Sequence, residues 1–250
     1  MKIASYNIHK CRGIDGLVRP ERIVAVVKEM GADLVALQEV DHRIGVRTGL
    51  LSPAMIESET GLKLLVQSDI VDGHGWHGNA LLVRGEPLHY HRSRLHLPGI
   101  EPRGAVFAEL DLGEGKFRII AVHLGLLRRS RMIQAKALLD IFHGLIPMPT
   151  FLLGDFNEWR RIRRSALVVL EPVFGTLPVL SSFPSRLPIF PMDRIFDWPP
   201  GLITRLSVHD TPLAREASDH LPLVADVNLN VFFQQCAPPL GKRRQSIKRN

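Results

Sequence analysis

Residues 150–157 read TFLLGDFN, a short apolar segment followed at once by a glycine, an acid and an amide. An apolar run of this length next to a glycine predicts a buried β-strand. Asp155 and Asn157 then fall just past the carboxyl end of that strand, in a loop. Because ligand sites of α/β proteins collect in the loops beyond strand ends, the segment predicts an α/β fold with chemistry at this point.

Short apolar segments recur on both sides of this one and alternate with a few helices. The predicted strands are residues 2–7, 33–38, 62–66, 80–83, 105–110, 117–122 and 221–229. The predicted helices are residues 20–30, 52–59, 129–142 and a very basic one at 159–170. Residues 172–200 are rich in proline and serine, which favours loops around one short strand. We therefore expect one α/β domain over residues 1–232.

The bulk composition is that of an ordinary globular protein. The 250 residues are 45% hydrophobic and 23% charged, which excludes the disordered and fibrous classes. Cys11 and Cys236 lie far apart and form neither a disulfide framework nor a C-x-x-C pair. The start carries no apolar leader, and no apolar run approaches the ~18 residues that span a bilayer. We expect a cytoplasmic monomer.

The positive charge is concentrated at the carboxyl end. The last ten residues carry five lysines and arginines and no acid, so without them the formal net charge falls from +7 to +2. Residues 233–250 are therefore predicted to be a basic, disordered tail. Such a tail attracts nucleic acid or anionic lipid through non-specific electrostatics, or serves only as a solubilising terminus.

Polar residues suited to metal and phosphate chemistry recur at the predicted element boundaries. They are Asn7, Glu39, His123, Asp155, Asn157, Asp193, Asp219 and His220. A single carboxylate after a strand is more often a turn or cap residue, and a lone histidine is more often structural. Their coincidence, with types suited to one reaction, indicates a shared site.

The reaction that suits these side chains is attack of water on phosphorus. Mg²⁺ takes one or two carboxylates plus waters and substrate phosphate, which suits Glu39 with Asn7, completed by Asp219. A carboxylate such as Asp155 can orient or deprotonate the attacking water. A histidine held by a carboxylate, as His220 by Asp193, can bind the oxygens on which charge builds in the transition state.

Seven blocks of this sequence, in this order, resemble the endonuclease/exonuclease/phosphatase superfamily. They are SYNI (5–8), LQEV (37–40), HGNALL (77–82), VHL (122–124), GDFN (154–157), MDRIF (192–196) and SDHLPL (218–223). The resemblance runs over residues 2–229 and is best to small bacterial members with NIHK near the start. It implies a four-layer sandwich of two packed mixed β-sheets with helices on both outer faces.

The resemblance also implies a cofactor, Mg²⁺ or Mn²⁺, and residues that hold it. Glu39 would be the main metal ligand, with Asn7 at the metal or the phosphate and Asp219 completing the cluster. Asn79 would brace the site. Arg103 lies where some members carry a basic residue that binds phosphate, although a surface arginine is an equal alternative.

The remaining implied roles belong to the chemical step. Asp155 and Asn157 would position and activate water, and Asp193 would hold His220 against the phosphate. His123 would stabilise the transition state or the leaving group. The predicted activity is therefore metal-dependent hydrolysis of a phosphodiester or phosphomonoester.

The substrate is left open between three interpretations. A nuclease is favoured by two basic runs close to the site, residues 128–131 and 160–164, but 6% aromatic residues offer few stacking platforms. A phosphatase or phosphodiesterase for lipid head groups or small metabolites is the alternative. There the tail would contact an anionic membrane and the apolar residues 183–191 a lipid surface. A binding module without activity is disfavoured because Glu39, Asp155 and His220 are all present.

Overall fold

The structure, a computed structural model, describes residues 1–41, 49–65, 76–160, 165–176 and 178–236. Its strands are, in chain order, β1 (Lys2–Asn7), β2 (Leu34–Gln38), β3 (Leu62–Leu65), β4 (Ala80–Arg84), β5 (His89–Leu97), β6 (Arg103–Asp111), β7 (Lys116–His123), β8 (Thr150–Asp155), β9 (Asp193–Trp198), β10 (Ile203–Val208) and β11 (Leu223–Val227). Its α-helices are α1 (Pro20–Met30), α2 (Pro53–Thr60), α3 (Arg128–His143), α4 (Glu171–Phe174), α5 (Pro212–Ala217) and α6 (Asn230–Cys236).

The strands form two mixed sheets. The first has six strands in the order β10-β11-β1-β2-β4-β3, and the second has five in the order β5-β6-β7-β8-β9. In each sheet one pair is parallel, β1 with β2 and β7 with β8. The carboxyl ends of a parallel pair lie at the same edge of a sheet, so residues that follow these strands come together there.

Apolar side chains fill three layers between four layers of secondary structure. Tyr6 and Ile23 belong to the core between the first sheet and helices α1, α2 and α5. Ile3 and Phe151 belong to the core between the two sheets. Leu138 packs in the third core, between the second sheet and α3. The predicted four-layer sandwich is confirmed.

Local sequence signals account for the helix ends. Pro20 is the first residue of α1, and Gly31 ends that helix with a left-handed backbone (φ 56°) that glycine adopts without strain. The Ser52 hydroxyl caps α2 by accepting a hydrogen bond from the Met55 amide at 3.3 Å.

The basic helix predicted at residues 159–170 is wrong. Residues 161–164 lie outside the described residues, and of the rest only Val168–Leu170 is helical, as one 3-10 turn. The reason is the fully buried Glu158, whose carboxylate accepts hydrogen bonds from the amides of Arg160 (2.9 Å) and Ala166 (2.7 Å). Because the Ala166 amide donates its hydrogen bond to this acid, that amide is not available for the backbone hydrogen bonds of a helix over residues 159–170.

At the carboxyl end, α6 runs across the predicted domain boundary between residues 232 and 233. The predicted disordered tail lies, from residue 237 onward, outside the described residues. Among the helices that the structure describes, none is long and apolar enough to cross a membrane.

Candidate active site

Asp155, the last residue of β8, lies at the centre of a buried group of polar side chains. Its Oδ2 atom accepts a hydrogen bond from Asn7 Nδ2 at 2.9 Å. The same atom lies 3.4 Å from His123 Nε2 and 3.9 Å from His220 Nε2. Its Oδ1 atom accepts a hydrogen bond from the amide of Asn157 at 2.8 Å. One carboxylate therefore meets groups from β1, β7 and the segment before β11.

Gly154 allows β8 to reach this position. It has φ 146°, and a Cβ atom added there would lie 1.9 Å from the carbonyl oxygen of Val122 on β7. Only a residue without a side chain can pair that closely with β7, where Asp155 lies opposite His123. On the other side of β8, Asp155 lies opposite Asp193 of β9.

His220 is held by Asp193. Its Nδ1 atom donates to Asp193 Oδ2 at 2.9 Å, and the Ser182 hydroxyl donates to the same oxygen at 2.5 Å. Burial lowers the pKa of His220, but the charge and hydrogen bond of Asp193, together with the charges of Asp155 and Asp219, raise it to about 10. His220 is therefore an imidazolium at neutral pH, with its Nε2 side towards Asp155.

His123 is the opposite case. Burial, assisted by the nearby Arg103, lowers the pKa of His123 to about 4, although the charge of Asp155 opposes this shift. The two histidines beside one carboxylate are therefore in different protonation states at neutral pH. Such a split is typical of sites that use one group as a cation and another as a neutral base or donor.

Glu39, directly after β2, lies in a second part of the site. It shares a small cavity of about 30 Å³ with Lys10, Asp41, His77, Gly78, Arg103 and His123. The Lys10 ammonium donates a hydrogen bond to Glu39 Oε2. Burial raises the pKa of Glu39, but His123 and Lys10 outweigh it and bring the pKa below its ordinary value. Glu39 is thus an anion that already holds a cation.

Asn7 and Asp219 both lie close to His9, the residue before Lys10. Asn7 Oδ1 accepts a hydrogen bond from the amide of His9 at 3.0 Å, while its amide group is directed at Asp155. Asp219 Oδ1 lies 3.5 Å from His9 Nδ1. The Ser218 hydroxyl donates to the backbone carbonyl of Asn7 at 2.8 Å and so fixes the segment before β11 against β1.

The remaining predicted residues lie around this centre. Asn79 is fully buried and donates to the carbonyl oxygens of Trp76 and Gly104, both at 3.1 Å, so it links the first sheet to the second. Asn157 donates through its side-chain amide to the Leu124 carbonyl at 2.9 Å. Arg103 is buried, donates to Glu101 at 3.3 Å and borders the cavity of Glu39.

Backbone conformation marks the same region. Among the described residues, the non-glycine residues with left-handed φ are His9, Lys10, Cys11, Glu39, His77 and Asn157. All belong to the loops that carry the site. A left-handed φ is unfavourable for most L-residues and persists only where the surroundings impose it, and such residues cluster at functional sites.

Two places in the site are suited to a cation. Ligand atoms of Asp155, Asp193 and His220 lie within 4.8 Å of one another, which is close enough to hold a metal ion. However, Asp193 Oδ2 already accepts hydrogen bonds from His220 and Ser182, so these atoms serve to orient the imidazole. Glu39 fits a metal better, because its carboxylate already has a cation, the Lys10 ammonium, bound to it.

Three of these residues were not expected from the sequence. Ser182 fixes Asp193, His9 lies near Asp219, and Lys10 binds Glu39. His9 and Lys10 belong to the NIHK segment, which indicates a resemblance but predicts no role for these two residues. Ser182 gave no sequence signal, because its role depends on a contact across 11 residues of irregular chain.

Two mixed sheets in a four-layer sandwich, with acids, amides and histidines gathered at one end, define the class of protein. A profile of the Endonuclease/Exonuclease/phosphatase family matches residues 4–220, and the chain belongs to that family. The family comprises hydrolases that act on phosphoesters, nucleases and phosphatases among them.

Individual relatives are similar over nearly the whole chain. Uncharacterized protein YbhP of Escherichia coli (strain K12) is 29% identical over 258 residues, which cover 91% of this chain and 96% of that protein. An endonuclease/exonuclease/phosphatase structure from Beutenbergia cavernae has a TM-score of 0.69 at 20% identity, over 92% of this chain and 71% of that one. Mannosyl-6-phosphatase Bt3783 of Bacteroides thetaiotaomicron VPI-5482 has a TM-score of 0.64 at 18% identity, over 91% of this chain and 99% of that one. The two structural matches show a shared fold.

Proposed function

We propose that the protein is a divalent-metal-dependent phosphoesterase that hydrolyses a phosphodiester or phosphomonoester by attack of water on phosphorus. The proposal rests on the contacts of the Asp155 carboxylate. Its carboxylate is held by Asn7 and Asn157 and lies within 3.9 Å of both histidines. A fixed carboxylate between a cationic and a neutral imidazole suits a base that takes a proton from water.

In this mechanism Asp155 receives the proton of the attacking water at its carboxylate. His220, protonated and held by Asp193, donates from Nε2 to a non-bridging phosphate oxygen, on which charge increases in the transition state. As the bond between phosphorus and the leaving oxygen breaks, the neutral His123 stabilises the transition state, or the leaving oxygen as it takes up the negative charge, by hydrogen bonding. Asn157 fixes the orientation of Asp155 through its backbone amide.

Mg²⁺ or Mn²⁺ would be held by Glu39, with Asn7 and Asp219 completing the site, and would neutralise charge on the phosphate when bound. Arg103, at the border of the same cavity, would bind a phosphate oxygen. Asn79 would keep the two sheets in register behind the site.

The test is hydrolysis by the purified protein with Mg²⁺ or Mn²⁺, and with EDTA as a control. The substrates are plasmid and abasic DNA, RNA, inositol phosphates, phospholipids and a chromogenic phosphodiester. Asp155→Asn should reduce turnover by at least ~10² while substrate still binds. The matched control is Asp140→Asn on the exposed face of α3, which should keep full activity. Near-normal turnover of Asp155→Asn would overturn the mechanism.

Nucleic acid is the first substrate class to test, but the structure weakens one of the arguments for a nuclease. Arg131, in the basic run at 128–131, is buried against Glu158 at 3.5 Å and donates to the Gly125 carbonyl. It therefore stabilises the fold and does not face a nucleic-acid backbone. Most of the second run, residues 161–164, lies outside the described residues.

Hydrolysis of a lipid or another apolar phosphoester is the second candidate, and exposed apolar side chains beside the site favour it. Four of these apolar side chains are each 36% exposed or more, namely Trp159, Leu187, Ile189 and Phe190. Phe183, whose ring centroid lies 4.8 Å from that of His220, connects this apolar surface with the proposed active site. Turnover of phospholipid but not of DNA or RNA in the same panel would select this candidate.

A binding module without activity predicts a different result in the same experiment. The wild-type protein and Asp155→Asn would then bind a ligand equally, and neither would hydrolyse any ester of the panel.

A further inference from the structure

The turn after β1 has an unusual backbone. Three successive residues are left-handed, with φ of 45° at His9, 53° at Lys10 and 59° at Cys11, and none of them is glycine. For L-residues this conformation brings Cβ too close to the following carbonyl oxygen. The surroundings impose it, because Asn7 Oδ1 binds the His9 amide at 3.0 Å and the Cys11 side chain is buried.

The consequence of this turn is the position of Lys10. Its ammonium binds Glu39 Oε2, although the two residues are 29 positions apart. Both side chains are partly exposed, Lys10 by 36% and Glu39 by 23%, and both border the small cavity that also contacts Arg103 and His123. An ion pair this accessible to water contributes little to stability, so stability alone does not account for a strained turn.

The position of this ion pair has a chemical meaning. Glu39 is the carboxylate at which we placed the divalent metal, and Lys10 places a positive charge on one of its oxygens. A divalent cation and an ammonium repel each other at such a distance, so a metal bound at Glu39 weakens the contact between Lys10 and that carboxylate. Lysine has a flexible stem and a compact charge, and it is a common ligand of phosphate.

We propose that Lys10 is an exchangeable cation of the active site, which occupies Glu39 in the metal-free protein and moves to the substrate phosphate when metal binds. The proposal rests on the proposed function, since it assigns Lys10 to the metal and the phosphate of that same site. In this scheme the left-handed turn holds the lysine within reach of both positions. Lys10 would thus link metal binding to phosphate binding.

The first test measures binding of Mn²⁺ alone to the full-length protein by electron paramagnetic resonance. Lys10→Met removes the charge and leaves an unbranched side chain with the same backbone strain. It should bind Mn²⁺ about two- to fivefold more tightly, because the metal no longer competes with a partly exposed ion pair for Glu39. Lys63→Met is the matched control, since it removes an ion pair with Glu86 away from the site and should leave Mn²⁺ affinity unchanged.

The second test measures binding of inorganic phosphate to the Mn²⁺-loaded proteins by calorimetry. Lys10→Met should bind phosphate at least about threefold more weakly than wild type, and Lys63→Met should bind it normally. Urea unfolding of each variant shows whether the fold is intact.

Equal or weaker Mn²⁺ affinity in Lys10→Met, or unchanged phosphate affinity, would overturn the proposal and leave Lys10 as a surface ion pair. Neither measurement depends on turnover. If the wild-type protein hydrolysed no ester at all, the proposed function would fail. The Mn²⁺ and phosphate affinities would still show whether Lys10 links the two binding events.

Discussion

Gly154 shows how a single residue without a side chain determines the site. A Cβ at this position would lie 1.9 Å from the Val122 carbonyl oxygen, and that neighbour is backbone, which cannot rotate away. Gly154→Ala should therefore separate β8 from β7 and displace Asp155. We expect it to lower the free energy of unfolding by at least about 3 kcal/mol, measured by urea denaturation.

The control for this variant is Gly144→Ala at the end of α3. There the added Cβ would lie 3.5 Å from the Ile141 carbonyl oxygen, an ordinary contact, and φ is not left-handed. Its stability should match wild type within about 0.5 kcal/mol. Equal stability of the two variants would show that β7 and β8 tolerate a wider separation than we infer.

The raised pKa of His220 predicts a pH dependence of stability. The pKa is about 6.5 in the unfolded chain and about 10 in the folded protein. The stability that protonated His220 contributes to the fold is therefore fully present below pH 6.5 and is lost as the pH rises towards 10. We measure the free energy of unfolding by urea denaturation in the presence of EDTA. Between pH 6.5 and pH 10, this free energy should fall by at least about 1 kcal/mol more in wild type than in His220→Gln. Parallel pH profiles of the two proteins would contradict the assigned pKa.

At the scale of elements, the loop after Asn157 depends on one buried acid. The Glu158 carboxylate accepts hydrogen bonds from two backbone amides, and its Oε2 atom lies 3.5 Å from Nε of the buried Arg131 of α3. Glu158→Ala would leave the Arg131 charge without this partner. We expect a loss of about 3 kcal/mol in the free energy of unfolding.

Glu59→Ala provides the comparison for that variant. It removes an exposed ion pair, with Lys28, and should change stability by less than about 1 kcal/mol. If the two substitutions had the same effect on stability, the buried Glu158 would not be the stabilising residue that we infer.

The elements that were predicted correctly have strong local signals. Helix α1 begins at a proline and ends at a glycine, so its bounds follow from local sequence. Strand β8 is a short apolar run, but it continues two residues past the predicted end at Leu153, to Asp155, because Gly154 and Asp155 still pair with β7 and β9. Strand β5 was missed because most of its side chains are polar and exposed, and it forms by pairing along its whole length with β6. No periodicity in the sequence reveals such an edge strand, since its stability comes from its partner.

The same distinction holds for the site. Acids and histidines at strand ends, such as Asp155 and His123, could be placed from the strand pattern alone. Lys10 could not, because its contact with Glu39 depends on a left-handed turn that sequence patterns do not indicate. Nor could the opposite pKa shifts of the two histidines be predicted, since both depend on burial and on neighbours from distant parts of the chain.

At the scale of the whole molecule, charge is distributed unevenly along the chain. Residues 241–250 contribute five of the positive charges, and the formal net charge without them is +2. Deleting these residues should weaken binding to anionic vesicles or DNA and reduce its dependence on salt, measured by co-sedimentation over a salt series. Hydrolysis of a small soluble ester should not change. A collapse of that hydrolysis would place the tail within the site.

The pairing of β1 with β11 has a consequence for how the protein is made. Lys2 lies opposite Asp226, so β1 cannot pair with β11 until the ribosome has synthesised both strands and the chain between them. Asn7 and Asp219 come together at the same late stage. A chain that ends before Asp219 would therefore lack both Asp219 and His220 of the proposed active site.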